Sequence, residues 1–423
     1  MTPLALIVQA RGGRVEGSDR ALDQGRDAAK FDFLRARGVR LHPQDGSGVR
    51  RADQILVTSA AVEDTVPDVQ AARRIGAAMT TRARLLAELF NASGCGIGIA
   101  GTSGKSTTTG MIGWILHRAG RNPTIMNGAE MKNFISVDST FAAARIGDGE
   151  EFVCEVDESD GSIALFAPRV ALVNNISLDH KPLDELRALF RGFVSKGETV
   201  VLNLDNAETA ALVTDLKPGK VLTWSLSDTT ADLLAGPPVC SPGGIAFPVK
   251  ARASGQVVEV TLKVPGLHNL ANALAALSAT IACGVGLADA AKHLEEFSGI
   301  RRRLEVVGTA NEITVIDDFA HNPDKIAATL QTMHAFAGRL LLMPEPVYFG
   351  GTVDRSVGSG EIVGEIVRRG RKALALPDRS ACGEKLVQLA RRGDRILVMG
   401  ARDDSLSQFA RDLVQRVERI GKV

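Results

Sequence analysis

The stretch GIAGTSGKSTTTG, residues 98–110, decides how this chain folds and what it holds. An apolar run with strand character, GIGIAG at 96–101, leads into a short turn carrying two glycines and a lysine. The helical pattern MIGWILHRAG (111–120) follows. A strand, a glycine turn and a helix start in succession aim backbone N–H groups and the positive end of a helix at one point. Glycines let the chain approach an anion closely, a lysine reaches terminal phosphates, and a hydroxyl can ligate magnesium. The spacing therefore predicts a bound nucleoside triphosphate, held by Gly101, Thr102, Ser103, Gly104, Lys105, Ser106 and Thr107. Position 99 is Ile, so the strict G-x-x-x-x-G-K-[ST] pattern is not met and the loop is a shorter variant that begins at Gly101.

Outward from the loop, 423 residues exceed what one core usually supports, so two or three domains are expected. Fifty Lys and Arg stand against 49 Asp and Glu, a formal charge of +1, which gives no global reason to bind nucleic acid or an anionic membrane. Any anion site must be local. Five scattered cysteines without CxxC pairing argue against a disulfide framework or zinc knuckle. No apolar run is long enough to span a bilayer, and Arg11, Arg14, Glu16 and Asp19 occupy the region where a signal peptide needs apolar residues, so a cytoplasmic protein without membrane insertion is expected.

Short β-like runs alternate with helical patterns, the signature of parallel sheets built from βαβ units. Strands are expected at 54–60, 96–101, 152–157, 169–176, 199–203, 312–317, 372–377 and 395–400, and helices at 184–194 and 268–283. Residues 221–264 break the rhythm with Pro, Gly and the alternating VVEVTLKV, and are expected to form antiparallel structure. Boundaries near 93 and 298 divide the chain into 1–93, 94–298 and 299–423.

Three further stations carry chemistry. CEVDESDGS (154–162) places Glu155, Asp157, Glu158 and Asp160 at a strand end, where a nucleotide-bound Mg²⁺ needs an oxygen ligand. NNISLDH (174–180) brings Asp179 and His180 to a third strand end, as a second metal or phosphate contact. PGLHNLANALAA (265–276) opens a helix with His268, Asn269 and Asn272. Asn269 could be a helix cap, and side-chain amides could also read an adenine edge.

Taken in order, these stations resemble the Mur ligase family, the ATP-dependent amide ligases of peptidoglycan precursor synthesis. GIRRRLEVVG (299–308) and VIDDFAHNPDKIAATL (315–330) resemble the opening of its C-terminal domain. Within the family the likeness is greatest to the alanine-adding branch. The resemblance implies an α/β, three-domain architecture: a Rossmann-like N-terminal domain that binds a UDP-sugar, a central P-loop domain that binds ATP, and a Rossmann-like C-terminal ligase domain. It implies that L-alanine is joined to the carboxylate of UDP-N-acetylmuramate through an acyl phosphate, with ATP and Mg²⁺ as cofactors. Carried over by position, Lys105 would hold the β- and γ-phosphates, and Ser106, Glu155 and His180 would surround Mg²⁺. Asn269 and Asn272 would face adenine, Arg303 would reach a phosphate, and Asp318 would bind ribose. Ser18, Asp19, Ser59 and His321 would contact substrate. Lys196 could be the carbamylated lysine of some family branches, or a surface lysine.

Two departures from the family pattern stand out. The chain starts at MTPLALIVQARGGRVEGSD, as if a first strand and most of a glycine-rich turn were missing, and the segment 334–356 lacks the usual histidine- and arginine-bearing loop. Phe319 and Asn322 stand where the alanine-adding enzymes commonly show Tyr and His. These departures leave two alternatives open: a related ligase that adds a peptide or another amino acid, and a nucleotide-binding homologue without catalysis.

Overall fold

Glycine and isoleucine alternate along Cys95–Ala100, and the alternation sets how the central sheet packs. A computed structural model of the chain describes residues 1–59, 62–136, 139–178, 181–241, 244–321, 323–333, 340–344, 358–401, 403 and 405–420. All six residues of this strand are buried. On one face Ile97 and Ile99 join Met111, Ile112 and Ile115 of the helix Lys105–Arg118 and Leu270, Leu274 and Leu277 of the helix Leu267–Ala282. On the other, Gly96 and Gly98 admit two aromatic rings: a Cβ at these positions would lie 2.7 Å from Phe90 Cζ and 2.9 Å from Phe193 Cζ. Side chains alternate between the two faces of a strand, so the sequence pattern translates directly into one aliphatic and one aromatic layer.

The chain divides into two compact units, Met1–Ile300 and Arg301–Val423. In the first, β1 (Glu16–Ser18) pairs in parallel with β2 (Arg40–His42), and β3 (Ile55–Thr58) with β4 (Ala78–Thr81), as two separate ribbons. Leu4 and Ile7 of the helix Thr2–Ala10 and Phe90 of the helix Arg82–Asn91 share one buried cluster with Phe152, Phe166, Phe190 and Phe193. The N-terminal elements are thereby bound to the central sheet through a common core.

That sheet contains β5 (Cys95–Ala100), β6 (Thr124–Met126), β7 (Ala144–Arg145), β8 (Glu151–Glu155), β9 (Val170–Val173), β10 (Thr199–Asn203), β11 (Val221–Ser225), β12 (Leu233–Ala235), β13 (Val239–Ser241), β14 (Gly244–Ala251) and β15 (Val257–Leu262). The order is β13-β14-β12-β11-β10-β9-β5-β8-β6-β7, with β15 on β14. Every neighbouring pair from β12 to β6 is parallel. The expectation of antiparallel structure from residue 221 is therefore corrected. Trp224 and Ser225 of β11 are buried, which extends the parallel sheet, and antiparallel pairing begins only where β14 meets β12, β13 and β15.

In the second unit, β16 (Glu305–Ala310) runs antiparallel to β17 (Ile313–Asp318), which pairs in parallel with β20 (Arg395–Met399). A separate parallel pair joins β18 (Leu341–Pro344) to β19 (Ala373–Leu376). Ile313, Val315, Ile396 and Val398 pack against Ala410, Leu413 and Val417 of the helix Ser405–Ile420. Of the segment 334–356, only Leu340–Pro344 falls within the described residues. No helix among the described residues is long and apolar enough to cross a membrane.

Candidate active site

Because β5 lies between β8 and β9 and all three are parallel, the chain leaves them at the same sheet edge. Such an edge, beside a helix start, is where open α/β sheets bind ligands. The turn after β5 is fixed by the chain leaving β9. Thr102 N donates to Asn175 O (3.0 Å), Thr102 Oγ1 to Ser177 O (3.2 Å), and Ser103 N to Asn175 Oδ1 (2.9 Å). Gly104 caps the helix Lys105–Arg118 at φ +83°, a left-handed conformation that favours glycine. A Cβ there would sit 2.3 Å from Asn272 Oδ1 and 2.9 Å from Asn174 Nδ2, so a side chain enters only if Asn272 or the loop shifts. N–H groups in the first turn of a helix have no intrahelical partner, which leaves the amides after Gly104 aimed at the turn.

Two carboxylates close this loop from β8. Glu155 Oε2 accepts from Ser106 Oγ (2.8 Å) and from Gly128 N (2.9 Å). Glu158 Oε2 accepts from Lys105 Nζ (2.7 Å), which also donates to Gly101 O (2.8 Å). Burial pushes the Glu158 carboxyl above the usual glutamate range, against the pull of the Lys105 ammonium. Ser106 and Glu155 supply two hard oxygen donors beside a phosphate-type loop, a set that suits Mg²⁺, which binds few protein oxygens and completes its shell with phosphate and water. Among the described residues no group of three or more His, Cys, Asp or Glu could hold a metal.

The structure thus brings together Lys105, Ser106 and Glu155. Asn272 and Asn269 lie beneath the loop: Asn272 Oδ1 accepts from Thr108 Oγ1 (3.3 Å), Asn272 Nδ2 donates to Asn269 Oδ1 (3.2 Å), and Asn269 Nδ2 to Pro265 O (2.7 Å). Asp179 and His180 lie outside the described residues. Lys196 Nζ donates to the carbonyls of Ala164 (2.6 Å) and Phe166 (3.4 Å), clasping the end of one helix to the turn before β9. In the N-terminal elements, Ser18 Oγ donates to Asp68 Oδ2, Asp19 Oδ1 caps the helix Arg20–Asp23 through Ala21 N (2.8 Å), and Ser59 follows β3.

In the second unit, Phe319 organises the residues around it. The Arg303 guanidinium lies 4.6 Å and that of Arg302 5.1 Å from its ring centroid, and the His321 ring meets it edge-on at 5.2 Å. Asp318 accepts from Leu304 N (2.7 Å), Ala320 N (2.7 Å) and Thr329 Oγ1 (3.2 Å), so its carboxylate ties the backbone just after Arg303 to that just after Phe319. Asn322 lies outside the described residues.

Asn127, Gly128, Asn174 and Asn175 shape the loop and were not singled out in the sequence, and Glu158 was read only as one of four strand-end carboxylates. Asn127 Nδ2 donates to Ser106 O (3.0 Å), and Asn174 Nδ2 to Thr108 Oγ1 (3.0 Å). The pair NN directly after an apolar strand is the one signal that could have found Asn174 and Asn175.

Comparison with known proteins accords with this geometry. Family models match the Mur ligase catalytic domain over residues 1–93, the Mur ligase middle domain over 99–280 and the Mur ligase glutamate ligase domain over 302–345. The UDP-N-acetylmuramate–L-alanine ligase of Gloeobacter violaceus is 34% identical over 99% of this chain and 94% of its own length. That of Streptomyces coelicolor is 32% identical over 95% and 92%. Among solved structures, UDP-N-acetylmuramate–alanine ligase from Thermotoga maritima superposes with a TM-score of 0.81 at 23% identity, over 99% of this chain and 97% of that one. A murein peptide ligase from Psychrobacter arcticus gives 0.73 at 24%, over 99% and 96%, and these two likenesses establish the three-domain fold. With a phosphate-type loop, a carboxylate-bearing strand and sequence identity along almost its whole length, the chain belongs to the Mur ligase family.

Proposed function

We propose that this protein is an ATP-dependent, ADP-forming ligase that joins L-alanine to the carboxylate of UDP-N-acetylmuramate in peptidoglycan precursor synthesis. One observation carries the chemistry: Lys105, Ser106 and Glu155 converge on a single loop at the edge where β5, β8 and β9 end. The substrate carboxylate attacks the γ-phosphorus of ATP and ADP leaves; the amino nitrogen then attacks the carbonyl of the acyl phosphate, inorganic phosphate leaves, and the nitrogen gives up a proton. Phosphoryl transfer asks a protein mainly for alignment and charge neutralisation. Lys105 neutralises the terminal phosphates, and the amides after Gly104 hold their oxygens in line. Mg²⁺, when bound, neutralises phosphate oxygens. Ser106 and Glu155 would hold it, together with His180, which is assigned by its place in NNISLDH.

Asn269 and Asn272 each keep one N–H beyond the bonds described above, and these are the groups we assign to adenine. Arg303, steadied on Phe319, supplies a cation to a phosphate, and Asp318 faces ribose while setting the backbone just after Arg303. Ser18, Asp19, Ser59 and His321 contact the UDP-sugar and the amino acid. Functional boundaries are placed at 93/94 and 298/299, and the protein is assigned to the cytoplasm, where ATP and UDP-sugars are supplied.

The test is phosphate release from ATP, followed with UDP-N-acetylmuramate and a panel of L-alanine, glycine, L-serine and a peptide. Release that requires both the UDP-sugar and an amine, with the highest kcat/KM for L-alanine, is expected. Preference for the peptide would reassign the amine, and absence of amine-dependent release would refute ligase activity.

A further inference from the structure

The loop lysine already has an anion. Lys105 Nζ lies 2.7 Å from Glu158 Oε2, and Glu158 is only 5% exposed. None of the phosphate, metal, adenine or amino-acid roles assigned above uses this carboxylate. Its oxygen offers the ammonium what a terminal phosphate offers, a compact negative charge with lone pairs at charge-assisted hydrogen-bond distance. The Lys105 side chain is only 15% exposed, and an ammonium so largely withdrawn from water is favoured by a counter-ion when the loop is empty. Glu158 is placed for this by local geometry: its own carbonyl accepts from Gly161 N (3.1 Å), and the preceding Asp157 carboxylate accepts from Ser159 N (2.9 Å), which together fold 157–161 into a tight turn over the loop.

We propose that Glu158 is the resident anion of the phosphate loop: it holds Lys105 until the terminal phosphates of a nucleotide displace it, and thereby sets the affinity for di- and triphosphates. Resting on the nucleotide assignment of residues 101–107, this adds a gating residue to that site. Binding exchanges the Lys105–Glu158 ion pair for a Lys105–phosphate pair, so the free energy of the first is subtracted from that of the second. On release of ADP the carboxylate recaptures the ammonium, which favours departure of the product. The contribution is confined to ligands whose phosphates reach Lys105.

Calorimetric titration of the full chain with ATP, ADP and AMP tests this on the parent protein, Glu158→Gln and Glu158→Ala. Removing the competing charge is expected to tighten ATP and ADP binding on the order of tenfold, since close buried charge pairs carry coupling of at least this size. AMP binding is expected to stay within twofold. A second readout does not involve nucleotide: acylation of Lys105 by acetic anhydride, measured by peptide mass spectrometry, should be faster in both variants, with melting curves confirming that they are folded. Folded variants that bind ATP as the parent does, or more weakly, would overturn the proposal and make Glu158 a residue that positions Lys105 in the bound state. Undiminished ATP binding by Lys105→Ala would instead overturn the nucleotide assignment of the loop, and the gate with it.

Discussion

Replacing Gly104 by Ala strikes the phosphate loop at its tightest point. The residue sits at φ +83°, and an added Cβ would lie 2.3 Å from Asn272 Oδ1, closer than any side-chain carbon is found. Placing an L side chain in the left-handed region costs about 1–2 kcal/mol. Relieving the overlap must move Asn272 away from Thr108 Oγ1, with the loss of a hydrogen bond worth roughly 1 kcal/mol. If the loop relaxes instead, the same 2–3 kcal/mol, approximately, separates its relaxed form from the binding form, and ATP affinity falls on the order of 30- to 150-fold. Isothermal titration with ATP and Mg²⁺ measures it. Gly120→Ala is the control, since Gly120 lies just past the other end of the same helix at φ +76° with nothing within 4 Å of its Cβ. It should cost about 1 kcal/mol of stability, a melting shift of roughly 2–4 °C, and leave ATP affinity unchanged. ATP binding by Gly104→Ala within twofold of the parent would refute the loop geometry as the basis of nucleotide binding.

Other predictions follow from the same contacts. Gly98→Ala drives a methyl into Phe193 and should cost roughly 1–3 kcal/mol in denaturant unfolding, with partial rescue by Phe193→Leu. Phe319→Ala removes the ring that steadies Arg303 and should lower kcat more than it raises the KM for ATP; steady-state kinetics decide. His42 beside Glu16, at 2.9 Å, holds the Glu16 carboxyl below the usual glutamate range. A depressed folded pKa contributes stability that is present above the unfolded value and lost as pH falls through the folded one. Glu16→Gln should therefore melt lower than the parent at pH 7 and converge with it in acid.

Much of this was legible in the chain itself. The strand, turn and helix around Lys105 were readable because hydrophobic period and glycine placement change abruptly there, and β10 falls at 199–203, the span expected from TVVLN. The direction of pairing of β11 was not legible: Val221–Ser225 reads the same whether its neighbour runs parallel or antiparallel, and the crossover through the helix Ala207–Val213 returns the chain parallel to β10. In the site, Lys105 and a loop hydroxyl followed from residue type at a strand and helix end, whereas the choice of Ser106 and of Glu155 among four carboxylates came from the family resemblance. The engagement of Glu158 followed from neither, because four carboxylates share the segment EVDESD and only the fold of its turn selects which one meets the lysine. Asn174 and Asn175 escaped for a similar reason, since their work is done through the Thr108 hydroxyl and the Ser103 backbone, 66 and 72 residues earlier.

The most direct test of the central claim, that the loop after β5 holds a nucleotide whose cation is gripped by Ser106 and Glu155, is electron paramagnetic resonance of Mn²⁺ standing in for Mg²⁺. One tightly held Mn²⁺ per chain should appear only when ATP is present, and Glu155→Gln should abolish it while ATP still binds. Tight Mn²⁺ binding that persists in Glu155→Gln, or that forms without nucleotide, would contradict the account.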